Sequence, residues 1–218
     1  MHRLFWKPNV KRWLSVLFTF LAMCPGLVQL QAQGAEDTRP VILAIGESTT
    51  AGYGVPAGKS YPAQLQALLD AAGYRYRVVN HGRNGSSTDM ALANLHRGML
   101  LQPKIVLIAI GGNDAEHPQA LRRTEANVRK LVSLFVETDA AVFLAARSAD
   151  NDGGSDERNA LYANIAEEEG ATLMPSLRQD IAGHPELLIG DMRHPNAEGY
   201  AIVARRIFAL LQPLLERD

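Results

Sequence analysis

The chain has 218 residues, 47% of them apolar and 21% charged, which describes one globular domain with a sizeable core and excludes disordered and collagen-like classes. Its 22 Lys+Arg nearly balance 23 Asp+Glu, and no basic stripe is interleaved with aromatics, so nucleic acid is not an expected partner.

In chain order, Arg3, Lys7, Lys11 and Arg12 precede the apolar run WLSVLFTFLAMC, and QLQAQGAEDTRP follows it. This reads as an export signal over residues 1–34, with cleavage after Gly34 and with Ala32 and Ala35 as neighbouring alternatives. Pro25 and Gly26 interrupt the run, against a stable membrane span. Met23 ahead of Cys24 is a poor fit to the small residue expected before a lipidated cysteine. Retained anchor and lipoprotein are thus the lesser readings, and membrane contact is expected only if the segment stays. The remaining domain, 35–218, is expected to be periplasmic or secreted, with 18 Lys+Arg against 23 Asp+Glu and a net charge of −5. It keeps no cysteine, so neither disulfide nor thiol chemistry is expected there.

From residue 41 onward, short β-branched runs alternate with longer helical patterns. VILAIG (41–46), YRVVN (76–80), IVLIAIG (105–111), AVFLAA (141–146) and ATLMP (171–175) read as strands. Helical spacing covers 61–72, 88–100, 118–137, 156–169 and 197–215. Such alternation predicts an α/β fold, a single doubly wound domain whose five-stranded parallel sheet, in the common order 2-1-3-4-5, carries helices on both faces. In the last helix, Asn196 is the candidate cap and Tyr200, Val203, Ala204, Ile207, Leu210 and Leu211 form a core-facing stripe. Arg205 and Arg206 lie off that stripe and read as a solvated face.

In that order, strands 2, 1 and 3 are neighbours, and their carboxyl ends carry GRNGSST (82–88), GESTT (46–50) and GGNDA (111–115). Open α/β sheets bind ligands at this edge, where successive crossovers go to opposite faces. Each loop alone is ordinary turn composition, and Asp114 reads as structural. A fourth block, DMRHPN (191–196), lies before the last helix, after a long stretch without strong periodicity. A serine hydroxyl is a weak nucleophile that needs a base and a group to orient the base. Ser48 could find both in His194 and Asp191.

Taken together, GEST, Asn80 followed by GRNG, GGND and DMRHPN make the chain resemble the SGNH (GDSL-type) hydrolase family, in its bacterial thioesterase I, lysophospholipase and arylesterase branch. The likeness spans nearly all of 41–215. It implies Ser48 as nucleophile, Asp191 and His194 as the rest of the triad, and Gly85 and Asn113 in the oxyanion hole with the backbone N–H of Ser48. Gly82 is a second candidate donor, less favoured by its spacing from Asn80. Where the family usually has aspartate before the nucleophile, this chain has Glu47.

Competing chemistries match less well. GEST lacks the second glycine of GxSxG, and neither GxGxxG nor a Walker loop follows the first strand. The spacing of His184, Asp191 and His194 matches no established metal motif, so no metal and no cofactor is expected. The expected protein is a monomeric serine esterase or thioesterase acting on a small-molecule ester or thioester through an acyl-enzyme. The short loops at 147–155 and after GGND are poor in large apolar residues and point to acyl groups from acetyl to about hexanoyl. The alternatives are a carbohydrate O-acetylesterase and, in another class, a noncatalytic binding domain on the same fold.

Overall fold

The computed structural model describes residues 37–115, 118–147 and 156–217. The export segment read over 1–34, with Cys24, lies outside the described residues, as does most of the loop at 147–155. Among the described residues, no helix is long and apolar enough to cross a membrane.

The first strand, β1 (Val41–Gly46), is buried at every position because it lies inside the sheet, with a strand on each side and a helix layer on each face. It pairs in parallel with β2 (Arg77–Gly82) on one side and β3 (Ile105–Ala109) on the other. β4 (Ala141–Ala145) and β5 (Thr172–Met174) continue the sheet, giving the expected order 2-1-3-4-5. Alternate side chains of a strand leave opposite faces. Ile42 and Ala44 accordingly join one core with α2 (Tyr61–Ala71) and α7 (Ala197–Leu211), through Tyr61, Leu65, Tyr200, Val203 and Ile207. Leu43 and Ile45 join a second core with α5 (Pro118–Val136) and α6 (Asp156–Glu169), through Val128, Leu131, Phe135, Tyr162 and Ile165. Each fully buried aliphatic side chain contributes about 1.5–3 kcal/mol, so the two cores fix the sheet between its helix layers. Register then sets the site: Gly46 lies opposite both Gly82 and Ala109, so three strands end side by side.

Element ends differ from the sequence reading in ways with local causes. β2 runs on to Gly82 because His81 and Gly82 still pair with Ile45 and Gly46. The segment read as one helix over 88–100 is two, α3 (Thr88–Ala93) and α4 (Leu95–Met99). Asn94 breaks it: its backbone leaves the helical region (φ −103°, ψ 3°), and its side-chain amide donates to Met90 O at 2.8 Å. α7 ends at Leu211, followed by a 3₁₀ turn Gln212–Leu214, because Pro213 has no N–H to continue the helix. Its amino end is as expected, with Asn196 Oδ1 accepting the N–H groups of Glu198 and Gly199 at 3.0 Å each.

Arg206 corrects the solvated-face reading. Its guanidinium donates to Asp180 Oδ2 and to Ser176 O, both at 2.6 Å, because the segment after β5 folds back beside α7. Only Arg205 of the two is exposed.

Candidate active site

Ser48 opens a single helical turn, α1 (Ser48–Ala51), directly after β1 and Glu47. A residue at a helix's first position has no intrahelical acceptor for its N–H. The turn is closed by Gly52 and pinned to β2 by Asn80, whose amide donates to Thr50 O at 2.8 Å. Asn80 also accepts the N–H of Gly82 at 2.8 Å, so the second candidate donor is already engaged.

His194 arrives from the segment between the 3₁₀ turn Pro185–Leu187 and α7. Asp191 shapes that segment, its Oδ1 accepting the N–H groups of Arg193 and His194 at 2.9 Å each. Its other oxygen lies 2.6 Å from His194 Nδ1, and His194 Nε2 lies 2.7 Å from Ser48 Oγ. Burial raises the Asp191 pKa, but the N–H groups of His194 and Arg193 outweigh it and hold it at about 2. An ionised carboxylate only accepts, so Nδ1 carries the proton and the Nε2 lone pair faces the serine hydroxyl. The three residues brought together from positions 48, 191 and 194 thus form a continuous hydrogen-bonded chain.

Gly85 and Asn113 line the same cleft as Ser48 and His194, a cavity of about 240 Å³. Gly85 has φ +70°, a conformation that favours glycine, and a side chain there would meet nothing within 4 Å. Among the described residues no acceptor takes its N–H. Asn113 spends one amide hydrogen on Ser86 O at 3.0 Å and retains the other. The cleft therefore offers donors from three adjacent strand ends, the arrangement that stabilises charge on a carbonyl oxygen under attack. Asp114 turns away and holds the neighbouring helix, accepting Thr88 Oγ1 at 2.6 Å and Thr88 N–H at 3.1 Å.

The sequence reading took Glu47 as a conservative replacement and missed Arg147 and Tyr53. Glu47 is more than a longer aspartate: its Oε1 accepts the N–H groups of Gly111 at 2.7 Å, Gly112 at 2.6 Å and Asn113 at 3.3 Å. Burial lifts the Glu47 carboxyl above its ordinary value, against the opposing pull of the Arg147 charge and those N–H groups. A Cβ at Gly112 would lie 2.7 Å from Arg147 Nη2 and 2.8 Å from Glu47 Oε2, so a side chain there would displace the ends of both groups. Arg147 follows β4, and a charged residue at a strand's carboxyl end was its only sequence signal. The Tyr53 ring lies 4.7 Å from the His194 ring at 51° and is 45% exposed, flanking the cleft mouth. The candidate metal set does not assemble: the His184 ring faces Glu186 at 3.1 Å instead of Asp191 or His194.

The chain is 32% identical to an arylesterase of Vibrio mimicus over 175 residues, covering 78% of this chain and 87% of that one. It is 28% identical to thioesterase 1/protease 1/lysophospholipase L1 of Escherichia coli strain K12, covering 96% and 97% respectively. Among solved structures, the psychrotrophic esterase EstA from a Pseudoalteromonas species matches with a TM-score of 0.73 at 25% identity, over 80% of this chain and 97% of that one. Residues 44–202 match the GDSL-like lipase/acylhydrolase family, and with both the sheet order and the relatives in agreement, the chain belongs to that family.

Proposed function

We propose that this protein is an exported esterase and thioesterase that hydrolyses small carboxylic esters and thioesters through an acyl-enzyme on Ser48. The observation that carries the reading is the 2.7 Å contact between His194 Nε2 and Ser48 Oγ, with Nδ1 held by Asp191 at 2.6 Å. In the first half-reaction Ser48 Oγ bonds to the substrate's carbonyl carbon while its proton passes to His194 Nε2. Negative charge moves to the carbonyl oxygen, where the N–H groups of Ser48 and Gly85 and the amide of Asn113 receive it. The carbon–oxygen or carbon–sulfur bond to the leaving group then breaks, and His194 returns the proton to that group. Water repeats the sequence on the acyl-enzyme, releasing the acid and the free serine. Asp191 orients the imidazole and stabilises its charged form.

Every group in this scheme comes from one chain, as a monomeric enzyme requires. Export is supported by the basic, apolar and small-residue order of 1–34. The test is turnover of p-nitrophenyl acetate together with fluorophosphonate labelling. Wild-type protein should turn over and be labelled at Ser48 alone, and Ser48→Ala should lose at least about 10⁴-fold in kcat while keeping its melting temperature. Near wild-type rates in Ser48→Ala, or a label at Ser87 or Ser176, would defeat the proposal.

A further inference from the structure

A second cavity, of about 190 Å³, lies between the carboxyl ends of β1 and β2 and the helices α3 and α4. Its inner wall is apolar, built by Ile45, Met90, Ala91 and Leu95, of which Ile45 and Leu95 are buried. Arg83 and Arg97 line it and are exposed, and no aspartate or glutamate belongs to its lining. Among the described residues neither guanidinium has a carboxylate partner. The acidic residues at the near end of α3 and its neighbouring loop are committed elsewhere, Asp89 to Arg123 and Asn127 and Asp114 to Thr88. His81 completes the polar side, and its pKa is pushed down by burial and by the Arg97 charge.

We propose that this cavity is a second binding site, for a small carboxylate with a short apolar tail. The carboxylate lies between Arg83 and Arg97, which supply the countercharge that the surrounding fold does not, and the tail lies against Ile45, Met90 and Leu95. Cationic donors without a counterion favour an anion, and a charge-assisted contact to guanidinium is among the stronger ones available at a protein surface. The apolar wall disfavours a bare inorganic anion, because it gains nothing from contact with one and gains with each methylene buried.

The site also has a physical route to the catalytic cleft. Ser86 lines the second cavity, while its carbonyl oxygen accepts the Asn113 amide and its chain neighbour is Gly85. An occupant presses on the back of the loop that carries Gly85 and whose Ser86 carbonyl holds the Asn113 amide. A short-chain carboxylate is also the class of acid released by the proposed reaction, so the regulatory part of this inference rests on that reading and the binding part does not.

The test is a titration of the full chain with hexanoate, followed by the ring resonances of His81 and His194 and the methyl resonance of Met90. Saturable shifts at His81 and Met90 are expected. The Arg83→Gln/Arg97→Gln variant, altered only at exposed positions, should weaken them by about 10-fold or more. Hexanol and inorganic phosphate should each move His81 far less than hexanoate. Hexanoate should change the kcat for p-nitrophenyl acetate in the wild type, and that effect should be absent in the double variant. Shifts confined to His194 would place the acid in the catalytic cleft alone and overturn the inference, as would an equal response to hexanol or phosphate, or unchanged affinity in the double variant. Movement of His81 and Met90 in a protein that hydrolyses no ester would keep the second site and remove the proposed reaction.

Discussion

Glu47 Oε1 accepts the N–H of Gly112 at 2.6 Å, joining the residue before the serine to the loop that carries Asn113, across sixty-five positions of sequence. The carboxylate holds two strand ends in one relation, and so fixes the position of Ser48 relative to Asn113. Shortening it by one methylene draws the oxygen away from three N–H groups at once. Glu47→Asp and Glu47→Ala should therefore lose kcat with little change in KM, Glu47→Ala by about 100-fold, the usual effect of ångström-scale misplacement. Glu47→Gln keeps the length and one accepting oxygen, and should retain more turnover than either. Steady-state kinetics on p-nitrophenyl acetate decides it: equal kcat in all four proteins would mean that the loop holds itself.

Asn113 makes a separate prediction, because its amide divides its hydrogens between Ser86 O and the cleft. Asn113→Ala should reduce kcat by about 100- to 1000-fold, the typical cost of one oxyanion donor. KM should change little, since the donor matters most when charge has formed. A loss seen in KM alone would assign Asn113 to substrate binding.

How these contacts relate to the sequence depends on their range. Strands β1, β3 and β4 were legible because a buried parallel strand is a continuous apolar run, as in VILAIG, and helix α7 because its stripe repeats every three or four residues. Ser48, Asp191 and His194 were legible because a serine needs a base, and the motif order resembles a known family. Glu47 was read as a minor departure, since nothing near position 47 announces that residues 111–113 will supply its hydrogen bonds. Arg206 was misread for the same reason: its partners Asp180 and Ser176 belong to an irregular segment whose path no periodicity predicts. The break at Asn94 arose from a local competition between side chain and backbone, which helical spacing does not register.

The Asp191 carboxylate gives the protein a defined acid response. Its folded pKa, about 2, lies below the ordinary value of 3.8, so it stabilises the fold above about pH 4. That contribution is lost as pH falls from about 4 to about 2. Asp191→Asn should remove this part of the acid sensitivity, flattening the melting temperature over that window. Activity should depend on His194 as the base that takes the proton from Ser48. His194→Ala should be crippled at every pH, and Asp191→Asn should lose less because the base remains. An unchanged pH profile in His194→Ala would exclude the histidine as base.

The last prediction concerns substrate size and follows from what lines the catalytic cleft. Ala109, Ala145 and Ala146 are small, and Arg147, Ser176 and Arg178 are polar, leaving Leu177 and the Tyr53 ring as the larger apolar surfaces. A buried methylene is worth about 0.8 kcal/mol, or roughly fourfold in kcat/KM, only where an apolar wall receives it. With so little wall described, the gain should end after a few carbons. Across p-nitrophenyl esters from about C2 to C16, kcat/KM should peak between acetyl and about hexanoyl and then fall. Tyr53→Ala should cost more with aryl esters than with ethyl esters of the same acid, since the ring flanks the cleft beside His194. A steady rise to C12 or beyond would overturn the short-chain reading and favour lysophospholipids, and turnover confined to acetylated glycans would replace it with carbohydrate deacetylation.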